Sequence, residues 1–361
     1  MARRFTQVIE GLPATVPFVA PDLLERRAGR PLRVRLGANE SGFGISPRAQ
    51  EAMRRAVEES WCYGDPESWD LRVRLAALNN TDPAHLVVAA GIDDLLGMVV
   101  RAFAEPREII VSSHGAYPTF AYHVKAYGAL LHTVPYLDDR NDLDALADTA
   151  SATGARILYL ANPDNPTGSF HRPEDIAAFA DKVHDGCILI LDEAYSDFVP
   201  PDGLPAIPCD HPRVIRMRTF SKAHGLAGAR IGYAIAAPDV IAAFDKFRLH
   251  FGVNRVAQAG ALASLDDPGF LASVVAGVEE GRREYEALGE KLGMRALPSL
   301  TNFVAFDTGD GARARALLAR LLEDGVFIRM PMVPPLDRLI RVTVGTAVER
   351  AAFGEAIERI R

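Results

Sequence analysis

Between residues 84 and 220 two hydrophobic patterns alternate along the chain. Short runs that are apolar at nearly every position occur in HLVVAAG, REIIVSS, ARILYLANP, GCILILDEAY and RVIRMRTFS, and amphipathic stretches such as DDLLGMVVRAFAEP lie between them. A strand that is apolar at successive positions has both faces covered, as in a parallel sheet with helices on either side. The pattern predicts an α/β unit with a mostly parallel sheet flanked by helices. Ligands of such sheets collect beyond the carboxyl ends of the strands. The polar residues closing the runs are therefore the informative ones: Gly91 to Asp94, Tyr117, Asn162 to Gly168, Asp192 to Tyr195 and Ser221 to Arg230.

After about residue 250 the pattern changes. A long charged amphipathic stretch, VVAGVEEGRREYEALGEKLG, leads into the short apolar runs TNFVAFDT, GVFIRM and LIRVTVGT, which predict a smaller α+β domain. The expected division is an amino-terminal arm and part of the small domain over 1–40, a large domain over 41–248, and the small domain over 249–361. Pro13, Pro17 and Pro21 fall in a weakly periodic stretch, which suggests an arm that orders when substrate binds.

Composition narrows the function more than the fold. The 361 residues are 48% hydrophobic and 24% charged, an ordinary globular balance. A formal net charge of -7, without a block of Lys and Arg, argues against a nucleic-acid partner. No stretch has the apolar length of a membrane helix, and the opening MARRFTQVIEGLPATVPF lacks a signal-peptide core. Cys62, Cys187 and Cys209 have neither metal-ligand nor disulfide spacing, so the expected setting is a reducing cytoplasm and no metal is expected.

Three polar segments carry the chemistry. Asp192 and Tyr195 follow a buried run in LILDEAYSDF; Asn165 sits in the tight turn ANPDNPTG; Ser221, Lys222 and Arg230 share TFSKAHGLAGAR with Gly225 and Gly228. Taken singly, each has a plainer structural reading, as a helix cap, a turn or a solvated lysine. Together they offer an amine for a Schiff base, a carboxylate for a pyridine nitrogen, donors for a phenolic oxygen, and an arginine and amides for a phosphate. One cofactor asks for all four: pyridoxal 5'-phosphate.

The order NPDNPTG, DEAY, TFSKAHGLAGARIGY and LIRVTVGT, with GANES and YGDPESWDLRVRLA upstream, resembles the fold-type I pyridoxal-phosphate aminotransferases, most closely their histidinol-phosphate aminotransferase group. The resemblance runs from about residue 34 to the end and implies an aspartate aminotransferase-like fold and a homodimer with shared active sites. It implies that Lys222 carries the cofactor and then moves the substrate's proton, that Asp192 meets the ring nitrogen, and that Asn165 and Tyr195 hold the phenolic oxygen. Tyr117 would stack on the ring, while Ser221, Arg230 and the amides of Ile92 and Asp93 hold the phosphate. Tyr63 would reach into the neighbouring subunit's site. Arg341 would clamp the substrate carboxylate, Arg329 would meet a distal acidic group, and Asn39 would lie near the substrate.

Departures from the group's pattern lie mostly on the substrate side: Ile92 where a small residue is usual, His250 and Phe251 in place of proline and tyrosine, and YGDPESWD in place of a Tyr-Pro-Asp opening. The expected reaction is transfer of an amino group between a small-molecule donor and a 2-oxo acid acceptor, with histidinol phosphate and 2-oxoglutarate the leading pair. Aromatic amino acids, or a decarboxylase of the threonine-phosphate type, are the alternatives within enzymes. An aminotransferase-like effector domain of a transcriptional regulator is the alternative outside them, disfavoured by the short segment before GANES.

Overall fold

The computed structural model describes residues 4–13 and 19–360, so Pro17 of the expected arm lies outside the described residues. Among the described residues twelve strands follow one another: β1 (Val34–Arg35), β2 (Leu86–Ala89), β3 (Ile109–Ser113), β4 (Leu130–Val134), β5 (Ile157–Ala161), β6 (Ile188–Asp192), β7 (Val214–Thr219), β8 (Gly232–Ile235), β9 (Arg295–Ala296), β10 (Phe303–Asp307), β11 (Val326–Phe327) and β12 (Leu339–Thr343). Seven of them form one sheet in the order β2-β8-β7-β6-β5-β3-β4. Within it β4, β3, β5, β6 and β7 run parallel, and β8 pairs antiparallel with both β7 and β2. The predicted parallel α/β sheet is present.

Alternation along these strands feeds two separate cores, which is why their sequences read as continuously apolar. Ile157, Tyr159, Ile190, Ile215 and Met217 pack with Leu95, Val99, Phe120 and Phe244 on one face. Leu158, Leu160, Leu189, Leu191 and Val214 pack with Leu146, Ile176 and Phe179 on the other. Each such aliphatic side chain contributes about 1.5–3 kcal/mol on leaving water. The helices that cover the sheet open on recognisable signals. Pro173 stands at the first position of Pro173–Lys182 with two acidic residues in its first turn, and Asp142 caps Leu143–Thr153 through Ala145 N.

The second unit is built on the antiparallel order β12-β10-β9 and on the 25-residue helix Pro268–Leu292, the charged amphipathic stretch of the sequence. Tyr285, Phe306 and Phe353 form its aromatic centre. Near the amino terminus β1 pairs in parallel with β11. The helix Arg255–Leu265 lies against the helices Pro47–Glu58 and Trp69–Leu78, and Val253, Ala257 and Ala261 share a core with Leu71, Leu75 and Phe220. That packing carries the chain beyond residue 249 before it turns to the small sheet.

Candidate active site

The loops after β2, β3, β5, β6 and β7 open at one end of the large sheet, and the turn that precedes β8 joins them there because β8 runs the opposite way. Asp192 is the last residue of β6 and is 5% exposed. Its Oδ2 accepts from Tyr159 Oη at 2.8 Å and its Oδ1 from Ala194 N at 3.0 Å. Burial pushes its carboxyl up to about 6 against these two donors, with the charge of Asp93 adding to the rise. Among the described residues Asp192 forms no ion pair.

Lys222 lies in the turn after β7, half-buried, with Nζ 3.2 Å from the carbonyl oxygen of Asn39 and 5.7 Å from the ring centre of Tyr195. Burial lowers its amine to about 8, and Arg341 lowers it further while Asp93, Glu40 and Asp192 oppose. An amine so placed is still mostly protonated near neutral pH but has a far larger neutral fraction than an ordinary lysine, and the neutral form is the nucleophile. Gly225, three residues on, has φ of 72°, and a Cβ there would stand 1.9 Å from the carbonyl oxygen of Gly44. The lysine turn thus fits against the 37–44 segment only with glycine at 225.

Asn39 is more than a neighbour of the substrate position. It is 2% exposed with φ of 55°, a conformation asparagine tolerates. Its backbone N donates to Thr343 Oγ1, and that hydroxyl donates back to Asn39 Oδ1 at 3.1 Å. This fixes the amide so that Nδ2 donates to Tyr195 Oη at 2.9 Å, leaving the phenolic proton of Tyr195 for a partner in the cleft. Burial raises the phenol to about 12, so it keeps that proton.

The start of the helix Ile92–Phe103 and Arg230 face these groups. Gly91, with φ of 90°, precedes the 12-residue helix Ile92–Phe103, and a Cβ on it would lie 2.7 Å from Arg230 Nη2. Arg230 takes a left-handed φ of 59° and holds its guanidinium there through Nη1 to Ala227 O at 2.9 Å. Ser221 is held by its N–H to Thr219 Oγ1 at 3.1 Å. Tyr117 donates to Asp93 Oδ1 at 2.9 Å, and burial and that carboxylate raise its phenol far above the ordinary value. A glycine without a side chain beside a helix amino terminus, with an arginine against it, fits a phosphate group. With Lys222 and Asp192 beside it, the donor set suits the phosphate, aldehyde and ring nitrogen of pyridoxal phosphate.

A further wall of the cleft comes from the small sheet. Arg329 and Arg341 are joined by an antiparallel bridge. Arg341 Nη1 donates to Asn165 Oδ1 at 2.5 Å and Nη2 to Gly37 O at 3.1 Å; its buried Nε has no partner, and its guanidinium stands over Phe303. Burial lowers it, and Arg329 lowers it further. Arg329 donates to the carbonyl of Val19, which brings the start of the chain to the cleft.

Tyr63 does not join this cluster within its own chain. It is 78% exposed, with its ring 4.7 Å from that of Phe251, and Trp61 and Leu249 are also exposed. Sequence reasoning missed Tyr159, Thr343 and the buried triad behind Asp192, in which Glu193 receives Arg216 Nη2 at 3.0 Å and Arg218 Nε at 2.8 Å. The available signals were a tyrosine inside an apolar strand and two arginines alternating along RMRT.

Comparison with known proteins places this geometry. The model for "Aminotransferase class I and II" matches residues 33–360. A histidinol-phosphate aminotransferase of Carboxydothermus hydrogenoformans is 32% identical over 96% of both chains, and one of Dechloromonas aromatica is 34% identical over 93% of this chain and 92% of its own. Among solved structures, the histidinol-phosphate aminotransferase of Sinorhizobium meliloti in complex with pyridoxal-5'-phosphate is 45% identical, covers 99% of this chain and 97% of its own, and superposes with a TM-score of 0.95.

Proposed function

The chain belongs to the aminotransferases of class I and II, and we propose that it uses pyridoxal phosphate to move an amino group from histidinol phosphate to 2-oxoglutarate. The observation that carries the substrate is the bridged pair Arg329 and Arg341 on one wall of the lysine cleft. Arg329 lies near enough to lower the Arg341 guanidinium, and a dianionic headgroup or two anionic groups on one substrate would relieve that repulsion. The shared name of the relatives supports the same choice.

Pyridoxal phosphate, when bound, supplies a carbonyl that condenses with amines and a protonated ring that withdraws electrons from the substrate's α-carbon. Asp192 would face the ring nitrogen. Ser221, Arg230 and the amides of Ile92 and Asp93 would hold the phosphate, with Tyr117 against the ring. Asn165 and Tyr195 would donate to the phenolic oxygen, the latter with the proton that Asn39 leaves available. Lys222 Nζ is the base that takes the proton from the substrate's α-carbon. Arg341 and Arg329 orient the substrate's anionic groups. The exposed cluster of Trp61, Tyr63, Leu249 and Phe251 suits a second copy of the chain, with Tyr63 turned toward that copy's cleft.

Single-turnover mixing of the holoenzyme with L-histidinol phosphate, L-glutamate and L-phenylalanine tests the reading through the cofactor's visible absorbance. Rapid conversion by histidinol phosphate, abolished in Lys222→Ala, is the expected result. Conversion by phenylalanine alone reassigns the substrate, and release of carbon dioxide without conversion points to a decarboxylase.

A further inference from the structure

We propose that Tyr159 is a positioning residue that holds Asp192 ionised and aimed at the cofactor's ring nitrogen; the inference rests on the role given to Asp192 above. Tyr159 of β5 pairs with Ile190 of β6, which makes Asp192 its diagonal neighbour on the same sheet face. The phenol reaches across that diagonal to donate to Asp192 Oδ2 at 2.8 Å, while Ala194 N holds Oδ1 at 3.0 Å. With both oxygens engaged, the plane of the carboxylate is fixed. The ring of Tyr159 is itself clamped, 1% exposed and stacked on Phe120 at 4.6 Å and 19°.

The donor matters because, among the described residues, Asp192 has no cation in contact. Facing it are Lys222 from the turn after β7, which favours its charge, and Asp93 from the helix Ile92–Phe103, which opposes it. Tyr195 also lies near Asp192, and Tyr117 and Asp164 face Tyr159. Burial and the carboxylates keep the proton on the Tyr159 phenol, so it is always the donor in this pair. A neutral hydroxyl thus stabilises the charge without supplying a competing cation that would displace the ring nitrogen's own proton.

The test is cofactor retention by the holoenzyme in equilibrium dialysis between pH 5 and pH 8. A protonated Asp192 cannot pair with a ring N–H, so retention falls as pH falls through the pKa of this carboxyl. Tyr159→Phe removes the hydroxyl and keeps the stacked ring, and the pH of half-retention should rise by about one to two units, the worth of a hydrogen bond to a charged group. Phe120→Leu loosens the stack and should leave the midpoint in place. An unshifted midpoint in a folded Tyr159→Phe protein, or an equal shift in Phe120→Leu, overturns the inference. Asp192→Ala separates the two readings. If that variant loses the cofactor while Tyr159→Phe titrates as wild type, the inference alone fails; if it keeps the cofactor at every pH, the role of Asp192 fails as well.

Discussion

The carboxyl end of β6 carries two adjacent acids that face opposite sides of the sheet and are treated in opposite ways. Behind the sheet, Glu193 is 1% exposed and gripped by Arg216 and Arg218, with distances of 2.8 to 3.1 Å. Burial alone would raise its carboxyl, but the two arginines outweigh it and hold it below the ordinary range. In the cleft, Asp192 is equally buried but has only neutral donors, and its carboxyl rises to about 6. The chain neutralises one charge itself and leaves the other with neutral donors alone among the described residues. Arg341 repeats the second pattern on the opposite wall: it is in no ion pair among the described residues, and its Nε is unpartnered. A buried charge that the fold does not compensate marks the site more sharply than a perturbed group alone.

Substitutions at the two acids should therefore have opposite signs. The largest effect is expected for Glu193→Gln, which leaves two buried arginines facing an amide. It should cost about 3–5 kcal/mol of stability, read as a lower urea midpoint. Asp192→Asn should instead stabilise the cofactor-free protein by on the order of 2–3 kcal/mol at pH 7. The folded-state pKa of Asp192 is raised, so its ionisation works against folding above pH 6. The advantage of the variant is thus complete there, shrinks as pH falls from about 6 to about 4, and is gone below that; parallel denaturation series above pH 6 and below pH 4 check this. The smallest effect concerns the wall. Arg341 helps to hold the Lys222 amine down at about 8. Replacing it in Arg341→Met should raise that pKa and move the pH profile for covalent capture of pyridoxal phosphate by the apoprotein upward. A profile that stays in place would separate the two groups electrostatically.

Much of this was legible in the sequence for physical reasons. Parallel strands covered on both faces must be continuously apolar, so the positions that end them, such as Asp192 and Lys222, stand out. The distances of the site are another matter. β8 enters the sheet between β2 and β7, a pairing set by contacts far apart in sequence, and no local pattern announces it. Asn39 was expected near the substrate, and the structure buries it beneath Tyr195, because the Thr343 hydroxyl that turns its amide comes from the other end of the chain. Tyr159 was hidden because a tyrosine in an apolar strand looks like core until its hydroxyl is placed. Tyr63, aligned by motif, stays outside the cluster of its own chain and is exposed.

The pairing of β1 with β11 bears on how the molecule is made. Arg33 donates to Asp324, 291 positions further on, and the β1 pairing lies beside that contact. On a ribosome the large sheet is complete once β8 has emerged, whereas the amino-terminal strand must wait, unpaired, for nearly the last residues to be synthesised. Domains fold as units during synthesis, and contacts between distant residues form late. The wall bearing Arg329 and Arg341 is thus the last part of the cleft to be assembled, after the strand ends that carry Lys222 and Asp192.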